Sequence, residues 1–215
     1  MSVKQLLSGF AEMASRADVF GGTHGNLSAR EGVFSMLIKP SGVPFREIRE
    51  PCRALFDAKG EILQVIGGLN PSVDAPHHAK IYAKNPGIQA ICHSHSKYVV
   101  AHAIGGYDIP CLSTEQADVF GGGIDCLTYS DFNSWGDQVA NLQQANSAVL
   151  LERHGALTFS AVSPLDAVKL ACRLEDVAEK NFLAEQLHRH PIWPMDQKEV
   201  MKWRVRYVEG YGQKK

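Results

Sequence analysis

The stretch Ile88-Gln89-Ala90-Ile91-Cys92-His93-Ser94-His95-Ser96 constrains this chain more than any other. Apolar residues lead into two histidines two positions apart. In an extended strand such residues point to the same face, about 6–7 Å apart along the backbone. That spacing suits two ligands of one metal ion, with Zn–N bonds of about 2.0–2.1 Å. A second apolar run, Leu150-Leu151-Glu152-Arg153-His154-Gly155, brings another His to a strand end just before a glycine. Three imidazoles and one open position describe a catalytic zinc site rather than a closed structural one. The competing reading is three polar residues at strand ends, hydrogen-bonded and inert, and periodicity alone leaves both open.

The chain has 215 residues, enough for one domain (1–215) with a substantial core. Its formal net charge is −1 and no long Lys/Arg run stands out, which argues against a nucleic-acid partner. The longest apolar runs fall far short of the ~20 residues of a membrane span. The first residues lack the apolar stretch of a leader, so a cytoplasmic location is expected. Five cysteines (Cys52, Cys92, Cys111, Cys126, Cys172) are scattered without Cys-x-x-Cys, as expected of reduced, buried thiols. Strand alternation aims Cys92 away from the histidines and into the core.

Residues 4–16 carry apolar positions at a helical period. A Gly-rich loop through Gly25-Asn26 follows. Two strand-like segments then flank a turn expected at Glu31-Gly32, and the second ends in Lys39-Pro40-Ser41-Gly42. These small-residue loops can present backbone N–H groups to an anion, with Lys39 adding charge, or can be ordinary hairpin turns. They match neither a Walker nor a dinucleotide fingerprint. A strand, a turn at Lys59-Gly60 and another strand come next. Pro71-Ser72-Val73-Asp74-Ala75-Pro76 then opens a helix, where Asp74 either caps the helix or serves the metal as ligand or base. His77 and His78 belong to that helix's surface or interior and are not counted as ligands. Tyr98 to Ala103 reads as a short helix ended by Gly105-Gly106, and Gly121-Gly122-Gly123 as a loop. Asn133 to Gln144 reads as a helix and Ala148–Leu151 as the strand carrying His154. Ser163-Pro164 starts a long core helix, an N-cap followed by Pro at the first position. His190-Pro191 breaks it, and residues 194–207 form a last helix before a short tail.

Taken together, Gly25-Asn26-Leu27-Ser28, Lys39-Pro40-Ser41-Gly42, Pro71-Ser72-Val73-Asp74, His93-Ser94-His95-Ser96 and His154-Gly155 resemble, in order and spacing, the class II aldolase/adducin family. Within it the chain is most similar to the L-ribulose-5-phosphate 4-epimerases. Asp74 stands where the fuculose-phosphate aldolases carry Glu, Lys39 where they usually have Thr. Asp118, in Gln-Ala-Asp-Val-Phe-Gly-Gly, matches an epimerase segment. The resemblance implies an α/β fold, an αβα sandwich with a central, mainly antiparallel sheet, and a Zn²⁺ site of His93, His95 and His154. It implies a homotetramer with active sites between subunits, Asp118 and Tyr211 reaching the substrate from the neighbouring chain. Asn26, Lys39, Ser41, Gly42 and Ser72 would hold a sugar phosphate, and Asp74, Asp118 and Tyr211 would handle protons. The implied activity is epimerisation by retro-aldol cleavage and re-addition; the alternative is a class II aldolase or related lyase on another sugar phosphate or sugar acid. Adducin-like members, which keep the fold as an interaction module, offer a non-enzymatic reading. The chain departs from the epimerase pattern at Val73, where a second Ser would stand, at His24, where a Trp would stand, and at Glu115-Gln116, where a Thr-His pair would stand.

Overall fold

The computed structural model describes residues 1–128, 135–141, 147–187 and 191–210. Its centre is an eight-stranded sheet built from two halves that meet at the His-x-His strand. The first half is a meander: β1 (Asn26–Gly32), β2 (Ser35–Ile38), β3 (Cys52–Phe56) and β4 (Ile62–Ile66) pair antiparallel with their neighbours. β5 (Ala90–Ser94) pairs with β1 on one side and with β8 (Gly155–Ser160) on the other, both antiparallel. β7 (Ala148–Leu151) follows β8, and β6 (Cys126–Leu127) closes the edge as the one parallel neighbour, giving the order β4-β3-β2-β1-β5-β8-β7-β6.

Helices cover both faces. On one lie α2 (Ala75–Lys84) and α5 (Trp135–Asn141), whose Ala79, Ile81, Tyr82, Trp135 and Val139 share a core with Ile38, Ile91 and Leu157. On the other lie α1 (Val3–Ser15), α3 (Lys97–Gly105) and α6 (Pro164–Leu187), packed over Leu27, Cys92, Ala148 and Leu150. Val119 and Phe120 of α4 (Thr114–Phe120) join this second face, and α7 (Gln197–Gly210) packs outside α4. The arrangement is the expected αβα sandwich, and Cys92 sits fully buried on the face opposite the histidines, as alternation requires. Among the described residues no helix is long and apolar enough to cross a membrane.

Two local expectations need correcting. The first hairpin turns at Val33-Phe34, because Gly32 already pairs with Ser35. A register break between Arg30 and Gly32 leaves Glu31 outside the ladder, where it accepts hydrogen bonds from Arg53 Nε and Nη2. His154 lies beyond β7, in the tight turn into β8, rather than on the strand. The segment before the three glycines contains α4, started by Ser113 Oγ accepting from the Gln116 N–H. Ser163-Pro164 does open α6, with Ser163 Oγ accepting from the Asp166 N–H. Of the helix expected over 133–144, residues 135–141 are described; the break at His190 and the tail with Tyr211 lie outside the described residues.

Candidate metal centre and anion loops

The sheet brings the three histidines together from two directions. His93 lies one residue before the end of β5, on the α2 face, His95 follows one residue past the strand, and His154 comes from the β7–β8 turn. His93 Nε2 lies 2.7 Å from His95 Nε2 and 3.1 Å from His154 Nε2. This close approach depends on Gly155. A Cβ there would stand 2.4 Å from the Ser94 carbonyl oxygen and 2.8 Å from His95 Cδ2. The turn is tied down on three sides. The Glu152 N–H donates to Leu127 O, the Arg153 N–H to Ala103 O, and the His154 N–H to Leu151 O. Arg153 takes φ 57°, a left-handed conformation that costs a non-glycine residue energy and is tolerated where the surroundings enforce it.

His93 Nδ1 lies 2.9 Å from the Ala156 carbonyl oxygen. A carbonyl can only accept, so Nδ1 carries the proton and Nε2 presents its lone pair to the cluster. Burial and the neighbouring His154 push His93 down to about 3; burial and the two other rings push His95 down to about 3. His154 is also lowered by burial. The rings are therefore neutral at physiological pH, the state in which imidazole binds metal. The three ligand atoms all lie within 4.8 Å of one another, the range in which one ion with Zn–N bonds of about 2 Å can draw them together. The donor set, tautomer and spacing fit a divalent ion of the zinc type.

Asp74 stands beside this cluster. It occupies the N-cap position of α2, yet its side chain makes no capping bond. Instead Asp74 Oδ2 accepts from Asn26 Nδ2 at 2.6 Å and lies 3.9 Å from His93 Nε2. With His93 neutral, that contact is a carboxylate beside an imidazole rather than an ion pair. Asn26 is placed by pairing opposite His93 in the β1–β5 ladder. Gly25 before it, at φ 78°, has no room for a Cβ, which would meet His93 O at 2.5 Å.

The two small-residue loops are laced together. Pro40 bridges Pro71, the Ser41 N–H donates to Asn70 O, and the Ser72 N–H donates to Lys39 O. The Lys39 N–H in turn donates to Leu27 O, next to Asn26. Ser41 and Gly42 reach solvent, while Ser72 is buried and its Oγ accepts from the Asp74 N–H. Lys39 is only 2% exposed, and its ammonium touches the Pro40 carbonyl and the Phe45 ring face. No carboxylate among the described residues pairs with it, and burial lowers its pKa. A buried cation without a counter-ion is costly unless an anion arrives.

A model of the class II aldolase and adducin N-terminal domain matches residues 4–182. The chain is 33% identical over 169 residues to a Mycoplasma pneumoniae protein named "Probable L-ribulose-5-phosphate 4-epimerase UlaF", covering 72% of this chain and 69% of that one. This chain belongs to the class II aldolase and adducin family. The L-ribulose-5-phosphate 4-epimerase UlaF of Salmonella paratyphi C is 28% identical over 180 residues, 77% of this chain and 78% of the relative. Among solved structures, an L-fuculose 1-phosphate aldolase superposes with a TM-score of 0.81 at 24% identity, over 97% of this chain and 98% of the other. A structure titled YgbL, a putative aldolase/epimerase/decarboxylase from Escherichia coli, gives 0.76 at 22%, over 94% and 96%. The relatives are epimerases and aldolases, and this chain is an enzyme of the class II aldolase type.

One residue expected at the site stands apart within the single chain. Asp118 lies on α4, on the opposite face of the sheet from α2, where Arg204 Nη1 donates to the carbonyls of residues 118 and 119. Its Oδ1 is buried without a hydrogen-bond partner. Gln116 is structural, its amide bridging Leu112 N–H, Ile109 O and Gly122 O. Val73 is 65% exposed and takes no part in the loop lacing. Sequence reasoning missed the aromatic backing of the cluster. Trp135, 1% exposed, stacks on His77 with ring centroids 4.1 Å apart and lies 6.2 Å from His93. The Trp-Gly pair is the available signal, since a Cβ on Gly136 would meet His77 Cα at 2.7 Å. His78, in the helix interior, is fixed by Ser28 Oγ, which also meets Tyr82 OH.

Proposed function

We propose that this chain is a divalent-metal-dependent sugar-phosphate epimerase of the L-ribulose-5-phosphate 4-epimerase type. The observation that carries the proposal is the convergence of three neutral imidazoles beside one carboxylate, with a buried, unpaired lysine on the adjoining loops. His93, His95 and His154 would hold Zn²⁺ or a similar ion, which would supply Lewis-acid stabilisation of the enediolate left when the bond between the α and β carbons of a ketone breaks.

The remaining work falls to the protein's own groups. Lys39, Ser41, Gly42, Ser72 and Asn26 bind the phosphate, the Lys39 ammonium gaining the counter-charge its burial lacks. Asp74, oriented by Asn26, holds a proton acceptor at the reacting end of the substrate. In this reading Asp118 and Tyr211 belong to the site of a neighbouring subunit in a homotetramer. They take the hydroxyl proton from the departing carbon and return it on the other face, inverting the centre. The placement of Asp118 on α4, across the sheet from α2, supports a role at the site of another copy rather than its own.

The test combines metal analysis with product analysis on L-ribulose 5-phosphate. Stoichiometric metal and formation of D-xylulose 5-phosphate are expected. Release of free aldehyde from L-fuculose 1-phosphate, with no epimerisation, would replace this reading by the aldolase one. Metal-free protein that takes up no zinc on dialysis would overturn the site.

A further inference from the structure

His95 is held differently from the other two histidines. It lies past the end of β5, one residue before Ser96, the N-cap of α3. Ser in that position ordinarily accepts from the second or third helical N–H. Here Ser96 makes no capping bond, and its Oγ is buried without a partner among the described residues. The cap comes from elsewhere in the chain. Glu175, in the middle of α6, accepts from the Tyr98 N–H at 2.9 Å with Oε1 and 3.2 Å with Oε2, and from the Val99 N–H at 3.0 Å with Oε2. These are the second and third N–H groups of a nine-residue helix. The carboxylate is half-buried, and among the described residues no cation pairs with it.

We infer that Glu175 is a positioning residue for the metal centre, fixing His95 and offsetting the positive end of α3 that faces it. The inference rests on the metal reading above. A helix N-terminus carries about half a positive charge, and His95 sits two residues before the first residue of α3. Three neutral imidazoles bring no negative charge to a divalent ion, and the carboxylate of Asp74 is the one placed beside His93. An uncompensated helix end beside the ion would oppose its binding. Glu175 cancels that field and pins the backbone that carries His95, working through two N–H groups rather than by touching the metal or substrate. Ser96 does neither, because a hydroxyl supplies one acceptor and no charge.

Zinc affinity, measured by competition with a chelating dye, and the visible absorption of the Co²⁺-loaded protein test this. Wild type, Glu175→Gln and Glu175→Ala are compared, with circular dichroism and thermal melting of the metal-free forms as fold controls. Glu175→Gln keeps an acceptor and loses the charge; it should weaken zinc binding about tenfold. Glu175→Ala should weaken it up to about 100-fold, the range seen when groups supporting a metal ligand are removed. Both should shift the Co²⁺ bands, which report ligand geometry and which a purely structural cap would leave unmoved. If Glu175→Ala fails to fold, the Gln variant decides alone. Variants that hold zinc as tightly as wild type, with the same Co²⁺ spectrum, overturn the inference and leave the metal reading intact. Wild-type protein that binds neither ion overturns both.

Discussion

The two faces of the central sheet have opposite characters, and β1 shows it residue by residue. Toward α6 it presents Leu27 and Ala29, buried in an apolar layer with Leu6, Phe10 and Val168. Toward α2 it presents Asn26, Ser28 and Arg30. Each is committed to a polar partner on or beside α2: Asp74, His78 with Tyr82, and the Tyr82 carbonyl. One strand thus serves packing on one side and a buried polar network on the other. A buried polar network fixes orientations, and this one has little to spare: among the described residues Asn26 Oδ1 and His78 Nε2 already lack partners, and each further loss is expensive. The α6 face can therefore lose a methyl group with only local consequence, while the α2 face cannot lose a hydrogen bond without disturbing the histidine cluster.

Substitutions on the two faces should separate accordingly. Asp74→Asn keeps the Asn26 contact and removes the carboxylate; turnover should fall by about 10²–10⁴ with metal content and melting temperature retained, read by kinetics and atomic absorption. Leu27→Ala on the opposite face should cost about 2–5 kcal/mol in denaturant unfolding, with undiminished metal per folded molecule. Equal effects of both variants on turnover per folded molecule and on unfolding free energy would erase the distinction. Lys39→Met, which preserves volume, should raise KM for a phosphorylated substrate by about tenfold and change kcat less, since it removes ground-state binding. It should also stabilise the ligand-free fold slightly, a measurement that ties the lysine to the anion rather than to packing.

The last difference is in pH dependence. Above pH 6.5 the imidazoles of His93 and His95 are neutral in the folded and unfolded metal-free chain alike. Between 6.5 and about 3 the unfolded chain takes up protons that the folded chain refuses. Stability of the metal-free protein should thus be flat above pH 6.5 from this source and decline as pH falls toward 3. His93→Gln should remove part of that decline, whereas Leu27→Ala should lower the whole curve without changing its slope.

The architecture was legible where one periodicity ran uninterrupted. The alternation through β5 fixed which residues share the histidines' face, and Ser163-Pro164 marked the start of α6. The turn at Val33-Phe34 was not legible. Glu31-Gly32 looks like a turn, and only the distant Arg53 explains why Glu31 leaves the ladder instead. Short α4 carries too few residues to show a period. At the site, the clustered histidines announced themselves by spacing and Asp74 by its place before a helix, but its release from capping depends on Asn26, 48 positions away. Glu175 left no local trace and Trp135 only the glycine beside it, because what they do is defined by the elements packed against them.

The order of the strands has a kinetic consequence. His93 and His154 are separated by 61 positions in the chain, and they meet only when β5 has found β8 across the intervening helices. Closing so long a loop carries an entropy cost that rises with the logarithm of its length, and non-local pairings of this sort form late. An ion captured by the nascent His93-His95 pair would find only two ligands until the sheet is complete. On the proposed reading a metal would be a seal on a finished scaffold rather than a seed for it, and full-affinity uptake should trail the return of secondary structure during refolding.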